Sequence, residues 1–280
     1  MQKSTASDWE VHVIEYARSK DQPLASLIQG ALDDGAVDLP FSFVLARRQG
    51  LTVLIDSGFM REGSGAAMSE KFGIPQWISP IRMLAELGVA PEDVTDIVLS
   101  HAHFDHMGSI GKFPKATIHI QKSEVLSWYE LLAMPARFGA LTEIINPDDM
   151  RRVFDASVEH RLNLVDGDVD DLLPGLDVRL GKGHTPGQQF IVVSTPSGRI
   201  VVSGDCVYAK RNLRGPNNDG TYVPLSNAVG SAWDQLVTMD RIDRELDGDL
   251  SRLIILHDSE RWPGRPVVAE IDGFRIVRAS

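Results

Sequence analysis

Residues 101–106 read His-Ala-His-Phe-Asp-His and supply four metal-binding side chains: His101, His103, Asp105 and His106. Neutral imidazole and carboxylate suit zinc and the neighbouring first-row ions. Four ligands so close together cannot all close around one ion. The spacing points to two ions, with His101 and His103 on one and Asp105 and His106 on the other. Ile97-Val98-Leu99 just before them reads as a short buried strand, which places the ligands at its C-terminal end. Surface histidines gathered by chance are the bland alternative. Three further residues argue against it, because His184, Asp205 and His257 each follow an apolar run in the same way. His184 completes the first ion, His257 the second, and Asp205 bridges them. Seven ligands then serve a pair of ions about 3.5–4 Å apart, the separation of two-metal hydrolytic sites. Asp56 also ends an apolar run; the residues alone leave it open between a partner for a metal-bound histidine and an Asx turn.

The elements that must position these groups follow from patterning. Residues 9–16 alternate as a strand, with His12 facing solvent, and 17–38 read as a long loop with one helical turn within 24–32. Residues 39–46 and 51–55 form a hairpin around Arg48-Gln49-Gly50. The stretch 59–78 reads as irregular. Ser79 and Pro80 then open a helix with Ile81, Leu84 and Leu87 on one face, and Gly88 ends it. Residues 116–121 alternate as a strand with Ile118 and Ile120 inward and His119 structural. The stretch 123–155 reads as helix, break, helix, its apolar residues shared between core and pocket wall. Residues 176–180 form a strand leading to His184, and 190–193 pairs with 200–202 through Thr195-Pro196-Ser197-Gly198. Ser231 and Asp234 open an amphipathic helix with Leu236, Met239, Ile242 and Leu246 on its face. Residues 253–256 form a buried strand before His257. No short-period repeat or low-complexity linker interrupts the chain, so 1–280 reads as one domain.

The formal charge is −11, from 28 Lys plus Arg against 39 Asp plus Glu, with no basic run. Nucleic acid and anionic membranes are therefore not the expected partners. No apolar run is long enough to span a bilayer, and the first ten residues lack the apolar core of a signal peptide. A cytoplasmic enzyme is the expectation. The single cysteine, Cys206, allows no intrachain disulfide and, beside Asp205, reads as a buried bystander facing away.

In order, HAHFDH, GHTPG, GDC and LHD resemble the metallo-β-lactamase superfamily, over nearly the whole chain. The resemblance implies an α+β architecture, an αββα sandwich of two mixed β-sheets packed face to face with helices outside. It implies two divalent ions, zinc first with manganese or iron as alternatives, and it favours Asp56 as a residue behind the ligands. True β-lactamases generally lack the bridging Asp205. Tyr208, three residues after it, and the pair His257-Asp258 resemble the N-acyl homoserine lactonase branch, whereas Gln188 stands where many relatives have a second histidine. The reaction implied is opening of a small-molecule lactone by a hydroxide bridging the ions. Asp105 would pass a proton to the leaving alkoxide and Tyr208 would stabilise the oxyanion. Arg211, Arg214, Trp128 and Phe138 are expected substrate contacts, and the arginines would make a lactone from aromatic breakdown as plausible as a homoserine lactone. Thioester hydrolysis of the glyoxalase II type, or phosphodiester hydrolysis, ranks second, because no basic binding region is visible around Arg275 and Arg278. A homodimer is compatible with the sequence.

Overall fold

The structure, a computed structural model, describes residues 8–280. Residues 1–7, most of the start read above as lacking a signal peptide, lie outside the described residues. The first sheet is laid down by β1 (Glu10–Pro23), β2 (Ala36–Arg48), β3 (Leu51–Ile55), β4 (Gln76–Trp77), β5 (Asp96–Val98), β6 (Thr117–Gln121) and β7 (Leu162–Val165). The second contains β8 (Val169–Leu173), β9 (Leu176–Leu180), β10 (Gln189–Thr195), β11 (Gly198–Val202) and β12 (Leu253–Ile254). The chain then returns to the edge of the first sheet as the hairpin β13 (Val267–Ile271) and β14 (Phe274–Arg278). Both sheets are mixed: β3, β5, β6 and β7 run parallel, as do β11 and β12, and the other pairs are antiparallel. The helices are α1 (Leu24–Leu27), α2 (Gly63–Lys71), α3 (Pro80–Ala85), α4 (Phe104–Met107), α5 (Lys122–Leu132), α6 (Pro147–Val158), α7 (Arg211–Arg214) and α8 (Ala232–Leu246).

The central strands are apolar on both faces because both faces are covered. On β2, Val44 and Ala46 join Val53, Ile55 and Val98 against Leu176, Val178, Ile191 and Val193 of the other sheet. Their alternates Phe43 and Leu45 belong to an outer cluster with Met83 and Leu84 of α3 and Met150 and Val153 of α6. On β10, Phe190 and Val192 likewise turn outward, in one cluster with Met239, Ile242 and Leu246 of α8. The layers are thus helix, sheet, sheet, helix. The C-terminal ends of β3, β5, β9, β11 and β12 lead to Asp56, His101, His184, Asp205 and His257 respectively.

Several local expectations are corrected. β1 continues to Pro23 and β2 begins at Ala36, pairing through two register shifts, so both ends of the supposed 17–38 loop are strand, with the helical turn α1 between them. That extension is held by backbone pairing and carries no apolar alternation to betray it. His12 is buried, 2% exposed, and does not face solvent. The stretch 59–78 contains α2, in which only Gly65 and Ser69 are buried; without an apolar stripe it gave no helical signal. Ser79 occupies the cap position of α3 without a side-chain cap bond, whereas the Ser231 hydroxyl accepts from the Asp234 N–H. His119 lies between Asp96 and Asn163, at 2.8 and 2.9 Å. Among the described residues no helix is long and apolar enough to cross a membrane.

Candidate metal centre

Two groups of buried side chains meet at the strand ends: His101, His103, His184 and Asp205, and beside them Asp105, His106 and His257. In the first, His103 Nδ1 and His184 Nε2 are 3.0 Å apart, and Asp205 Oδ2 lies 3.3 Å from His184 Nε2 and 3.9 Å from His101 Nε2. In the second, His106 Nε2 is 3.2 Å from Asp105 Oδ2 and 3.4 Å from His257 Nε2. The other oxygen of Asp205, Oδ1, reaches this second group at 3.2 Å from His106 and 3.3 Å from His257. One carboxylate therefore faces both groups.

These atoms converge on common points more than on each other. Asp205 Oδ1 has two imidazole nitrogens nearby, yet makes a satisfactory hydrogen bond to neither, and His101 Nε2 is buried without any partner. Donors about 2.0–2.1 Å from a tetrahedral ion lie about 3.3–3.4 Å from one another, close to the spacings seen here. The residues present fit divalent metal ions of the zinc type.

The groups behind the ligands fix which nitrogen faces inward. His257 Nδ1 donates to the Pro40 carbonyl at 2.8 Å, and His106 Nδ1 donates to Asp56 Oδ2 at 2.8 Å. Ser100 spends its hydroxyl proton on Asp56 Oδ2, at 2.7 Å, so its oxygen must accept from His101 Nδ1 at 2.9 Å. Each ring then turns its Nε2 toward its group. Asp56 adopts a left-handed φ of 60°, uncommon for a residue with a side chain, and its Oδ1 also accepts from the Ser100 N–H at 2.6 Å. Tyr16 donates its hydroxyl to the Asp105 carbonyl at 2.7 Å. The Gln188 amide oxygen, in its satisfied orientation, accepts from the Asp205 and Cys206 N–H groups, both at 2.8 Å. Gly204 has a φ of 53°, and a Cβ there would fall 2.7 Å from Ser100 Cβ, so only glycine lets the Asp205 turn approach the His101 loop.

The two groups differ electrostatically. Burial pushes His101, His103 and His184 down, reinforced at His101 by His106 and His103 and at His103 by His184. Burial acts the same way on His106 and His257, but the Asp205 and Asp105 carboxylates outweigh it, holding His106 well up and His257 at about 9. Burial pushes Asp105 and Asp205 up; His106 and His257 overcome it and hold both well below the usual carboxylate range.

A cavity of about 350 Å³ opens over the centre, with His103, Asp105, Asp205, Tyr208 and His257 at its base. Leu27, Leu39, Phe41, Phe72, Phe104 and Ile144 supply apolar wall, and Gln22, Ser226 and Asn227 supply polar atoms; among the described residues no Lys or Arg lines it. The Tyr208 hydroxyl donates to Asp205 Oδ2 at 2.6 Å, and its ring stacks on His257.

Four residues expected at the substrate are elsewhere. Trp128 is fully buried behind His103 and donates its indole N–H to Glu124. Phe138 is partly exposed on a 3-10 turn beside Arg137. Arg211 pairs with Asp34, and Arg214 with Asp243 and the Gly248 carbonyl, so α7 aims both away from the cavity. Conversely, the sequence reading assigned no role to Ser100, Tyr16 or Glu124. Ser100 touches the motif and was findable there; Tyr16 and Glu124 carried no local signal.

The metallo-beta-lactamase superfamily model matches residues 37–257. An N-acyl homoserine lactonase of Bacillus cereus is 32% identical over 134 residues, which is 48% of this chain and 46% of that protein. The chain therefore aligns with less than half the length of that relative. N-acyl homoserine lactonase AttM of Azorhizobium caulinodans is 28% identical over 84% of this chain and 87% of its own. Among solved structures, a quorum-quenching N-acyl homoserine lactone lactonase superposes with a TM-score of 0.70 at 19% identity, covering 94% of this chain and 97% of that one. AidC, a dizinc quorum-quenching lactonase, superposes with a TM-score of 0.68 at 20% identity, covering 96% and 93%. Such identities speak for the fold, and the family match spans most of the chain. The chain belongs to the metallo-beta-lactamase superfamily and has the fold of its metal-dependent hydrolases.

Proposed function

We propose that the chain is a dinuclear-metal hydrolase that opens an uncharged lactone, with N-acyl homoserine lactones the class to test first. The observation that carries this reading is Asp205, whose two oxygens face two separate ligand groups beneath a mostly apolar cavity. In it, His101, His103 and His184 would hold one ion, Asp105, His106 and His257 the other, and Asp205 would join both. Two such ions, zinc first with manganese or iron as alternatives, supply Lewis acidity and lower the pKa of nearby water.

The chain's own groups then have distinct tasks. Asp105 borders the cavity and is held ionised by His106 and His257. It is the base that takes a proton from the attacking water and returns it to the alkoxide released from the ring. Burial and the Asp205 carboxylate keep the Tyr208 hydroxyl protonated, and by turning from Asp205 Oδ2 it would donate to the carbonyl oxygen as that oxygen gains charge. The apolar wall suits an acyl substituent, and Ser226 and Asn227 can meet its amide. Glutathione thioesters and phosphodiesters carry anionic groups that a cavity with no Lys or Arg among its described residues leaves unmatched, so these readings rank below. The lactonase names carried by the curated relatives point the same way.

The test is proton release from acyl homoserine, aliphatic and aromatic-derived lactones by metal-replete protein. Rapid opening of one class is expected, with Asp105→Asn about 10²–10⁴-fold slower. No turnover of any lactone by protein shown to hold two ions would sink the proposal.

A further inference from the structure

Glu124, in the first turn of α5, is fully buried and enters no ion pair among the described residues. A lone carboxylate in the interior is costly unless its lone pairs are met. Here four donors meet them. Oε1 accepts from the Ala102 N–H at 3.0 Å and the Trp128 indole at 2.7 Å. Oε2 accepts from the Thr185 hydroxyl and the Gly187 N–H, both at 2.8 Å. Ala102 sits between His101 and His103, and Thr185 directly follows His184. One oxygen thus grips the loop carrying two ligands of the first group, and the other grips the loop carrying the third. The loops are pressed against α5 closely enough that a Cβ on Gly187 would stand 2.1 Å from the Glu124 nitrogen.

We infer that Glu124 is a positioning residue for the first ligand group, setting the separation of the two loops so that His101, His103 and His184 face one point. The inference rests on the two-ion reading above. The second group has no such tie, since Asp56 and the Pro40 carbonyl anchor His106 and His257 directly. Glutamine is a poor substitute. Its one oxygen can serve one loop, while its NH₂ would face the donors of the other. The Thr185 hydroxyl can turn to accept from it, but the Gly187 N–H cannot.

Cobalt(II) titration of metal-free wild type, Glu124→Gln and Thr185→Val, followed by visible absorption and metal analysis, tests this. Wild type should take up two ions. Glu124→Gln should weaken one of them about 10–100-fold, the usual effect of losing a group behind metal ligands, and alter only that ion's spectrum. Thr185→Val should move the same ion by less. Val125→Ala, which opens a core cavity beside Glu124, should lower Tm without discriminating between the ions. Equal weakening of both ions, or of neither, overturns the inference. If Glu124→Gln does not fold, Thr185→Val decides by the same criterion. A wild type that binds two ions but opens no lactone overturns the functional proposal alone, and one that binds no metal overturns both.

Discussion

His101, His103 and His184 occupy a setting poor in charge, with a serine hydroxyl behind His101 and only Asp205 among the three rings. His106 and His257 instead stand between carboxylates, with Asp105 and Asp205 in front and Asp56 behind His106. The three histidines of the first group come from two loops, His103 and His184 being 81 positions apart, and are held at one remove, by hydrogen bonds from the Ala102 and Gly187 N–H groups to the buried Glu124 carboxylate. The second is held by charge. The imidazoles and carboxylates of the second group offset one another's charge. The first has His101 Nε2 buried and unmet. Assembly by geometry and assembly by charge thus sit side by side, joined through one side chain.

The largest effect should come from cutting that join. Asparagine at 205 keeps one oxygen and loses the second acceptor, so it can serve one group only. Asp205→Asn should lower turnover by about 10²–10⁴-fold, and metal analysis should find one firmly held ion in place of two. Two retained ions with near-normal turnover would show the groups to be independent, and the comparison would fail at its centre.

How far the sequence reached follows the same division. The ligands were legible because each follows an apolar run, and both the sandwich and its strand ends write themselves as such runs. Asp56 was only half legible, since an Asx turn and a partner for His106 look alike until the fold brings it within 2.8 Å of the ring. Glu124 and Tyr16 act on residues 22 to 89 positions away, in part through backbone atoms, which leave no trace in composition. Part of the cavity wall was hidden too, because Ser19 and Gln22 lie on the polar end of β1, where backbone pairing replaces patterning. Arg211 and Arg214 misled by proximity: four residues of helix after Tyr208 are enough to turn both outward onto Asp34 and Asp243.

A smaller effect separates the two modes of assembly. Asp56 touches the second group directly through His106 and the first only through the Ser100 hydroxyl. Asp56→Asn should therefore weaken the second ion about 10–100-fold and the first by less. Ser100→Ala should weaken the first alone. The order is read from competition with a chelating dye. Equal responses to both substitutions would mean that Asp56 and Ser100 act as one unit under both ions.

The most delicate test counts protons. In the metal-free chain His257 is held up at about 9, above the ordinary 6.5, and His106 is raised as well. Protons favoured on these rings by the carboxylates must be displaced by an arriving ion. Raising the pH toward 9 removes that competition, so affinity at the second group should climb over that interval. His101, His103 and His184 are held down and already neutral there, so the first ion should release almost none and its affinity should stay flat. Calorimetric titration in buffers of different ionisation enthalpy separates the two steps. Release confined to one step supports two differently built groups. Release shared equally between them would mean that protons redistribute across Asp205 as each ion binds, making the centre a single electrostatic unit despite its two modes of support.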